Sequence, residues 1–117
     1  MDQNLLQTLG KELFHAGKTR EVVAPLTERF PDITVEDAYG IQLLALEQHV
    51  ANGSKVTGRK IGLTSKAMQD MFGVFEPDFG SLLDHLAFSS GDAIPAGLLI
   101  QAALLPCGPS PIWSRNI

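Results

Sequence analysis

Residues 58–84, Gly-Arg-Lys-Ile-Gly-Leu-Thr-Ser-Lys-Ala-Met-Gln-Asp-Met-Phe-Gly-Val-Phe-Glu-Pro-Asp-Phe-Gly-Ser-Leu-Leu-Asp, constrain this chain more than any other stretch. Over residues 55–63, Val56, Gly58, Lys60 and Gly62 alternate with Thr57, Arg59, Ile61 and Leu63, which is the period of a β-strand. Gly58 and Gly62 then lie on the same face as Lys60 and leave room there for a ligand or another backbone. Thr64 or Ser65 is placed to cap a short helix that runs through Phe72 and stops at Gly73. The N-terminus of that helix adds free amides and a positive dipole end beside the lysine. Glu76-Pro77-Asp78-Phe79-Gly80 reads as a rigid turn, because Pro77 fixes its own φ and Gly80 permits a sharp exit. A lysine on a glycine-flanked strand and an aspartate in a turn are thus joined by one small helix. Two opposite charges held in this way can grip a small anionic substrate.

The flanking segments predict an α+β fold. Leu5, Leu6, Leu9, Leu13 and Phe14 share one face of a helix over residues 4–16, with Gly17 placed to end it in a left-handed turn. Gly10 weakens that helix, which therefore needs tertiary packing. Pro25 and Pro31 break the connector. Thr34 and Asp37 form a capping-box pattern before a second helix over residues 35–51, whose buried stripe is Ala38, Ile41, Leu44 and Ala45. Asn52-Gly53 stops it. His15 reads as a cation suited to the helix dipole rather than a catalytic base, and His49 as a dipole partner or surface residue, since no second ligand sits three or four positions from it. Residues 81–88 and 93–100 are each expected to form a short strand around the Ser89–Asp92 turn.

Composition excludes several function classes. A net charge of −4 and nine scattered basic residues do not make a nucleic-acid surface. The apolar runs fall far short of the roughly 20 residues that span a bilayer, and the start Met-Asp-Gln-Asn lacks the pattern of a signal peptide. A single cysteine, Cys107, fits a reducing compartment. The expectation is a cytoplasmic protein with neither nucleic acid nor membrane as a partner. No His-Glu-x-x-His, Cys-x-x-Cys, Gly-x-Ser-x-Gly or phosphate-loop motif occurs. Asp84, His85 and Asp92 are spaced too loosely to read as a metal group, and Lys66 with Asp70 reads as a surface pair. That leaves Lys60 and Asp78 as the candidate site. Lysine can polarise an enol or keto oxygen, and aspartate can move a proton. The same two residues also satisfy the commoner arrangement, a plain ion pair between a strand and a turn.

Residues 102–117 differ in kind. Prolines 106, 109 and 111 preclude a regular helix or central strand, Arg115 is the one charged side chain, and no Asp or Glu follows Asp92.

Pro25-Leu26-Thr27, Val35 through Tyr39, Gly58 through Ser65 and Gly73 through Gly80, in that order and spacing, closely resemble the 2-keto-4-pentenoate hydratase family. This family lies within the fumarylacetoacetate-hydrolase-like group, and the resemblance runs to about Gln101. It implies a metal-dependent addition of water to 2-hydroxypenta-2,4-dienoate, giving 4-hydroxy-2-oxopentanoate in aromatic meta-cleavage catabolism. It implies Mg²⁺ or Mn²⁺ as the parent cofactor, and it puts Lys60 and Asp78 at positions flanking the substrate. The Pro77–Gly80 turn looks more like the hydratase than the related decarboxylase branch. In the family, Leu99-Ile100-Gln101 leads into Pro-Arg-x-Glu-x-Glu, whose glutamates bind the metal; residues from Ala102 onward do not follow that pattern. Residues 1–101 are accordingly expected to be the N-terminal helical cap of a hydratase fold, with a few short strands but without its β-rich catalytic domain. Residues 102–117 are expected to be an unrelated irregular tail left by a frameshift or truncation. A chain so composed is expected to bind no metal of its own and to be inactive alone. Its expected partners are a homo-oligomer or an intact subunit.

Overall fold

The computed structural model describes residues 1–100; the expectations for the segment beyond lie outside the described residues. Three helices come first: α1 (Gln3–Thr19), α2 (Leu26–Arg29) and α3 (Val35–Ala51). Then follow β1 (Val56–Gly62), α4 (Lys66–Phe72) and β2 (Asp78–Leu83), with 3₁₀ turns at Asp84–Leu86 and Ala96–Leu98. The mixed helical and two-stranded arrangement matches the α+β expectation. No helix among the described residues is long and apolar enough to cross a membrane.

The helical half is a pair, α1 against α3. Leu9 and Ile41 are buried, as the apolar spacing predicts, and Ala16, outside the predicted stripe, is buried too; Leu44 and Ala45 are half-buried and Ala38 is exposed. Gly10 is where the two helices meet. A Cβ there would stand 2.7 Å from Leu44 Cβ and 3.3 Å from both Ala45 N and Ile41 O. The residue that weakens α1 in isolation is the one that admits α3. Gly17 does not end α1; the helix runs on, and Arg20 adopts the left-handed conformation at φ 64° instead. Arg20 is tied down by its Nε donating to Gly97 O at 3.2 Å. A bidentate ion pair, Arg29 to Glu12 at 2.8 and 3.1 Å, fastens α2 to α1.

The start of α3 follows its sequence closely. Thr34 Oγ1 accepts from Asp37 N, and Asp37 Oδ2 accepts from Thr34 N, completing the capping box. The Thr34 hydroxyl also donates to Asp37 Oδ2 at 2.8 Å, and that bond first, then the one from Thr34 N, holds the Asp37 carboxyl below its usual range. Gly53 in the left-handed region (φ 96°) follows the helix end.

β1 and β2 form an antiparallel pair with Gly58↔Leu82, Lys60↔Gly80 and Gly62↔Asp78 in register and a bulge between Val56 and Gly58. β2 begins at Asp78, so the aspartate expected in a turn opens a strand. β2 ends at Leu83, one of the few buried side chains, and no strand forms over 93–100. Pro95 cannot donate to a ladder, and a 3₁₀ turn follows it.

Candidate functional site

Lys60 and Asp78 come together on one face of the hairpin, with Lys60 Nζ 3.9 Å from Asp78 Oδ2. That is an ion pair but not a hydrogen bond, and at 58% and 41% side-chain exposure it adds at most about 1 kcal/mol of stability. The register explains the geometry. Each charge faces a glycine directly across the ladder, Lys60 opposite Gly80 and Asp78 opposite Gly62, so the two reach each other diagonally. One carboxylate oxygen, Asp78 Oδ1, is sealed from solvent with no hydrogen-bond partner. Such an atom costs roughly 1–3 kcal/mol, and its retention calls for a reason beyond stability.

The hairpin is fixed to α3 through backbone groups of Phe79. Its N–H donates to Tyr39 Oη at 3.1 Å, and its carbonyl accepts from Gln42 Nε2 at 3.2 Å. Tyr39 and Gln42 stand one helical turn apart, so a single face of α3 satisfies the outer edge of β2 beside Asp78. At the far end, Asp84 N donates to Lys55 O, and Lys55 N donates to Asp84 Oδ1 at 3.0 Å. The bond from Lys55 N first, and another from His85 N to the same Oδ1 at 2.9 Å, keep the Asp84 carboxyl below its ordinary range. Asp84 and His85 thus close the hairpin, while Asp92 Oδ2 accepts from Ser89 N to shape the next turn.

β1 exits through Leu63, a non-glycine residue in the left-handed region at φ 51°. A strained residue beside a site is held by its surroundings. Here Gln69 Nε2, from α4, donates to Leu63 O at 2.8 Å. Ser65 Oγ caps α4 by accepting from Met68 N, Gly73 closes it at φ 67°, and Lys66 pairs with Asp70 on its exposed side.

An open groove of about 600 Å³ runs between the first turns of α3 (Val35, Tyr39, Leu43) and the Glu76-Pro77 and Phe79 segment. Lys60 and Asp78 do not line it. It adjoins the charged pair through Pro77 and Phe79 without containing the chemistry.

His49 departs from expectation. Its ring meets Phe14 edge-on at 4.7 Å and stacks on His85 at 5.6 Å, joining α1, α3 and the 3₁₀ turn that follows β2. Burial, then the charges of His85 and Lys18, holds its pKa below the ordinary histidine value. These surroundings disfavour the cation that a helix end would suit.

The sequence reading identified the charged pair but missed Gly80, Tyr39 and Gln42 as its supports. One signal was present: Lys60-Ile61-Gly62 and Asp78-Phe79-Gly80 both read charge-x-Gly, and antiparallel pairing sets each charge against the other strand's glycine.

A divalent cation does not fit the residues described. Hard cations take six or more oxygen ligands. Among the described residues no cluster of three or more Asp, Glu, His or Cys side chains is close enough to hold one. Asp78 presents one sealed oxygen and one beside an ammonium.

No protein-family model matches the sequence. Individual proteins do. The chain is 54% identical over 95 residues to 2-hydroxypent-2,4-dienoate hydratase of Pseudomonas putida, an alignment covering 81% of this chain and 43% of that one. It is 44% identical over 101 residues to 2-hydroxyhexa-2,4-dienoate hydratase of Comamonas testosteroni, covering 84% and 38%. The fold matches 4-oxalocrotonate decarboxylase from Pseudomonas putida G7, complexed with magnesium and adipate, with a TM-score of 0.69 and 30% identity over 73% of this chain and 32% of that one. The same decarboxylase complexed with calcium and acetate gives 0.70. The chain spans about two fifths of the length of these two curated relatives. Its ordered motifs, its identity to several hydratases and its fold agree: over the part that aligns, the chain belongs to the 2-keto-4-pentenoate hydratase family.

Proposed function

We propose that this chain carries the Lys60–Asp78 part of a cytoplasmic hydratase site and completes no turnover by itself. The parent reaction is addition of water to 2-hydroxypenta-2,4-dienoate in meta-cleavage catabolism. Moving the enol proton to C5 gives a 2-oxo acid with a conjugated 3,4-alkene. Water then adds hydroxyl at C4 and hydrogen at C3, giving 4-hydroxy-2-oxopentanoate. The Lys60 ammonium would pair with the substrate's carboxylate or 2-oxygen and stabilise negative charge as it develops. Asp78 Oδ2, the carboxylate oxygen not sealed in the hairpin, would move the proton. The observation that carries this reading is the pair itself: two opposite charges kept 3.9 Å apart on one sheet face in a chain 54% identical to a hydratase. Identity to hydratases exceeds identity to the decarboxylase, which favours the hydratase branch.

Inactivity alone rests on the donor set: among the described residues no three Asp, Glu, His or Cys side chains gather to hold a cation. On this reading residues 1–101 are the N-terminal region of a hydratase and residues 102–117 an unrelated tail. Resequencing around codons 100–104 checks it, because a Glu-x-Glu in another frame would establish a frameshift. The catalytic test follows loss of dienol absorbance with Mg²⁺ or Mn²⁺. The 117-residue chain should be inert. A hydratase in which this chain supplies the 95 residues shared with the Pseudomonas putida relative should turn over, and Lys60→Ala or Asp78→Asn should sharply reduce its rate. Full activity of the short chain, or normal rates for both variants, refutes the reading.

A second reading, an assembly module that pairs with an intact subunit, draws on exposed apolar side chains. Ile61 and Phe79, cross-strand partners, are 60% and 52% exposed. Co-purification with a full-length hydratase supports it, and a clean monomer in that mixture counts against it.

A further inference from the structure

We propose that Gly62 and Gly80 are positioning residues, each providing a side-chain-free bed in which the charge opposite lies. The proposal rests on the site assignment above only for its catalytic consequence. Lys60 lies flat over Gly80: a Cβ there would stand 2.8 Å from Lys60 Cε, 3.3 Å from Cγ and 3.6 Å from Cδ. Asp78 lies over Gly62: a Cβ there would overlap Oδ1 and stand 3.1 Å from Cγ and 3.3 Å from Oδ2. Neither glycine adopts a left-handed φ, so backbone conformation does not require glycine at either place. What requires it is the space taken by the charge opposite.

The consequence is geometric. With both stems recessed, Lys60 Nζ and Asp78 Oδ2 stand at 3.9 Å, close enough to share a ligand but not locked in a mutual hydrogen bond. Gly62 also accounts for the sealed Oδ1: that oxygen occupies the volume a side chain would take, leaving Oδ2 as the working atom. A methyl at Gly80 lifts the lysine stem off the sheet, and a methyl at Gly62 turns the carboxylate.

The test separates positioning from stability. Alanine suits a strand interior better than glycine. In the full 117-residue chain, Gly80→Ala should therefore leave the thermal midpoint unchanged or higher. It should also abolish nuclear Overhauser contacts between the Lys60 methylenes and residue 80 Hα and lower the Lys60 Cε order parameter at least twofold. An unchanged order parameter, or a wild-type Lys60 as mobile as exposed Lys66, overturns the proposal. If Gly80→Ala does not fold, adding Lys60→Ala must restore folding, since the lysine stem is what the methyl meets; continued unfolding refutes it. In the full-length hydratase carrying this segment, Gly80→Ala should lower kcat at least tenfold with KM changed less than threefold, while Gly17→Ala changes neither. An unchanged kcat overturns the positioning role. If Lys60→Ala itself proves harmless there, the site assignment fails, and the relaxation measurement still decides the glycine beds.

Discussion

The same substitution, glycine to alanine, should have opposite effects at two positions of α1. Gly17 lies within the helix with nothing within 4 Å of a Cβ, so alanine there gains helix propensity unopposed, about 1 kcal/mol. Gly10 gains the same propensity but meets α3. Its Cβ would stand 2.7 Å from Leu44 Cβ and 3.3 Å from Ala45 N and Ile41 O. All three are backbone or first side-chain atoms that cannot rotate away, so the helices must separate around the buried Leu9 and Ile41. Overpacking of this kind costs about 1–3 kcal/mol, which outweighs the gain and leaves Gly10→Ala destabilised by about 1 kcal/mol. The two variants should therefore differ by about 2 kcal/mol. In a domain of this size each kcal/mol is a shift of roughly 4–8 °C in Tm. Urea unfolding followed by far-ultraviolet circular dichroism measures both, with an unchanged m-value as the check on two-state behaviour. If Gly10→Ala stabilises as much as Gly17→Ala, the close crossing of α1 and α3 is wrong.

Tyr39→Phe removes the acceptor for Phe79 N–H and Gln42→Ala the donor to its carbonyl; each should cost about 1 kcal/mol, and faster amide exchange at Phe79 in Tyr39→Phe checks the first. His49 has a folded pKa below its unfolded value, so its contribution to stability is fully present above about pH 6.5 and is lost as pH falls through the folded value. His49→Gln should flatten that part of the stability–pH profile. Asp37 likewise has a depressed folded pKa, so its contribution holds above about pH 4 and disappears on further acidification. Thr34→Ala, which removes the first cause of that depression, should raise the Asp37 titration midpoint measured by carboxyl carbon resonance.

Much of the local structure was legible because its determinants are local. Thr34 and Asp37 announce the start of α3, Ser65 and Gly73 bracket α4, and the alternation around Lys60 marks β1; each depends on residues within one turn or one strand. Expectations failed where long-range contacts decide. Gly17 resembles a helix stop, but α1 continues across it, and Arg20 takes the left-handed position while bonded to Gly97. Pro77 and Gly80 resemble a turn, yet pairing with β1 draws Asp78 through Gly80 into a strand. His49 looks like a surface cation until Phe14 and His85 close over it.

The candidate site divides in the same way. Residue types, order and spacing were enough to select Lys60 and Asp78 and to relate them to a hydratase family. The antiparallel register, which no single segment encodes, sets each charge opposite a glycine and fixes their separation. Tertiary packing decided the support: Tyr39 and Gln42, far away in sequence, satisfy the edge of β2 because α3 lies along it. A side chain's chemistry is carried in the sequence, but the distance between two side chains belongs to the assembled sheet.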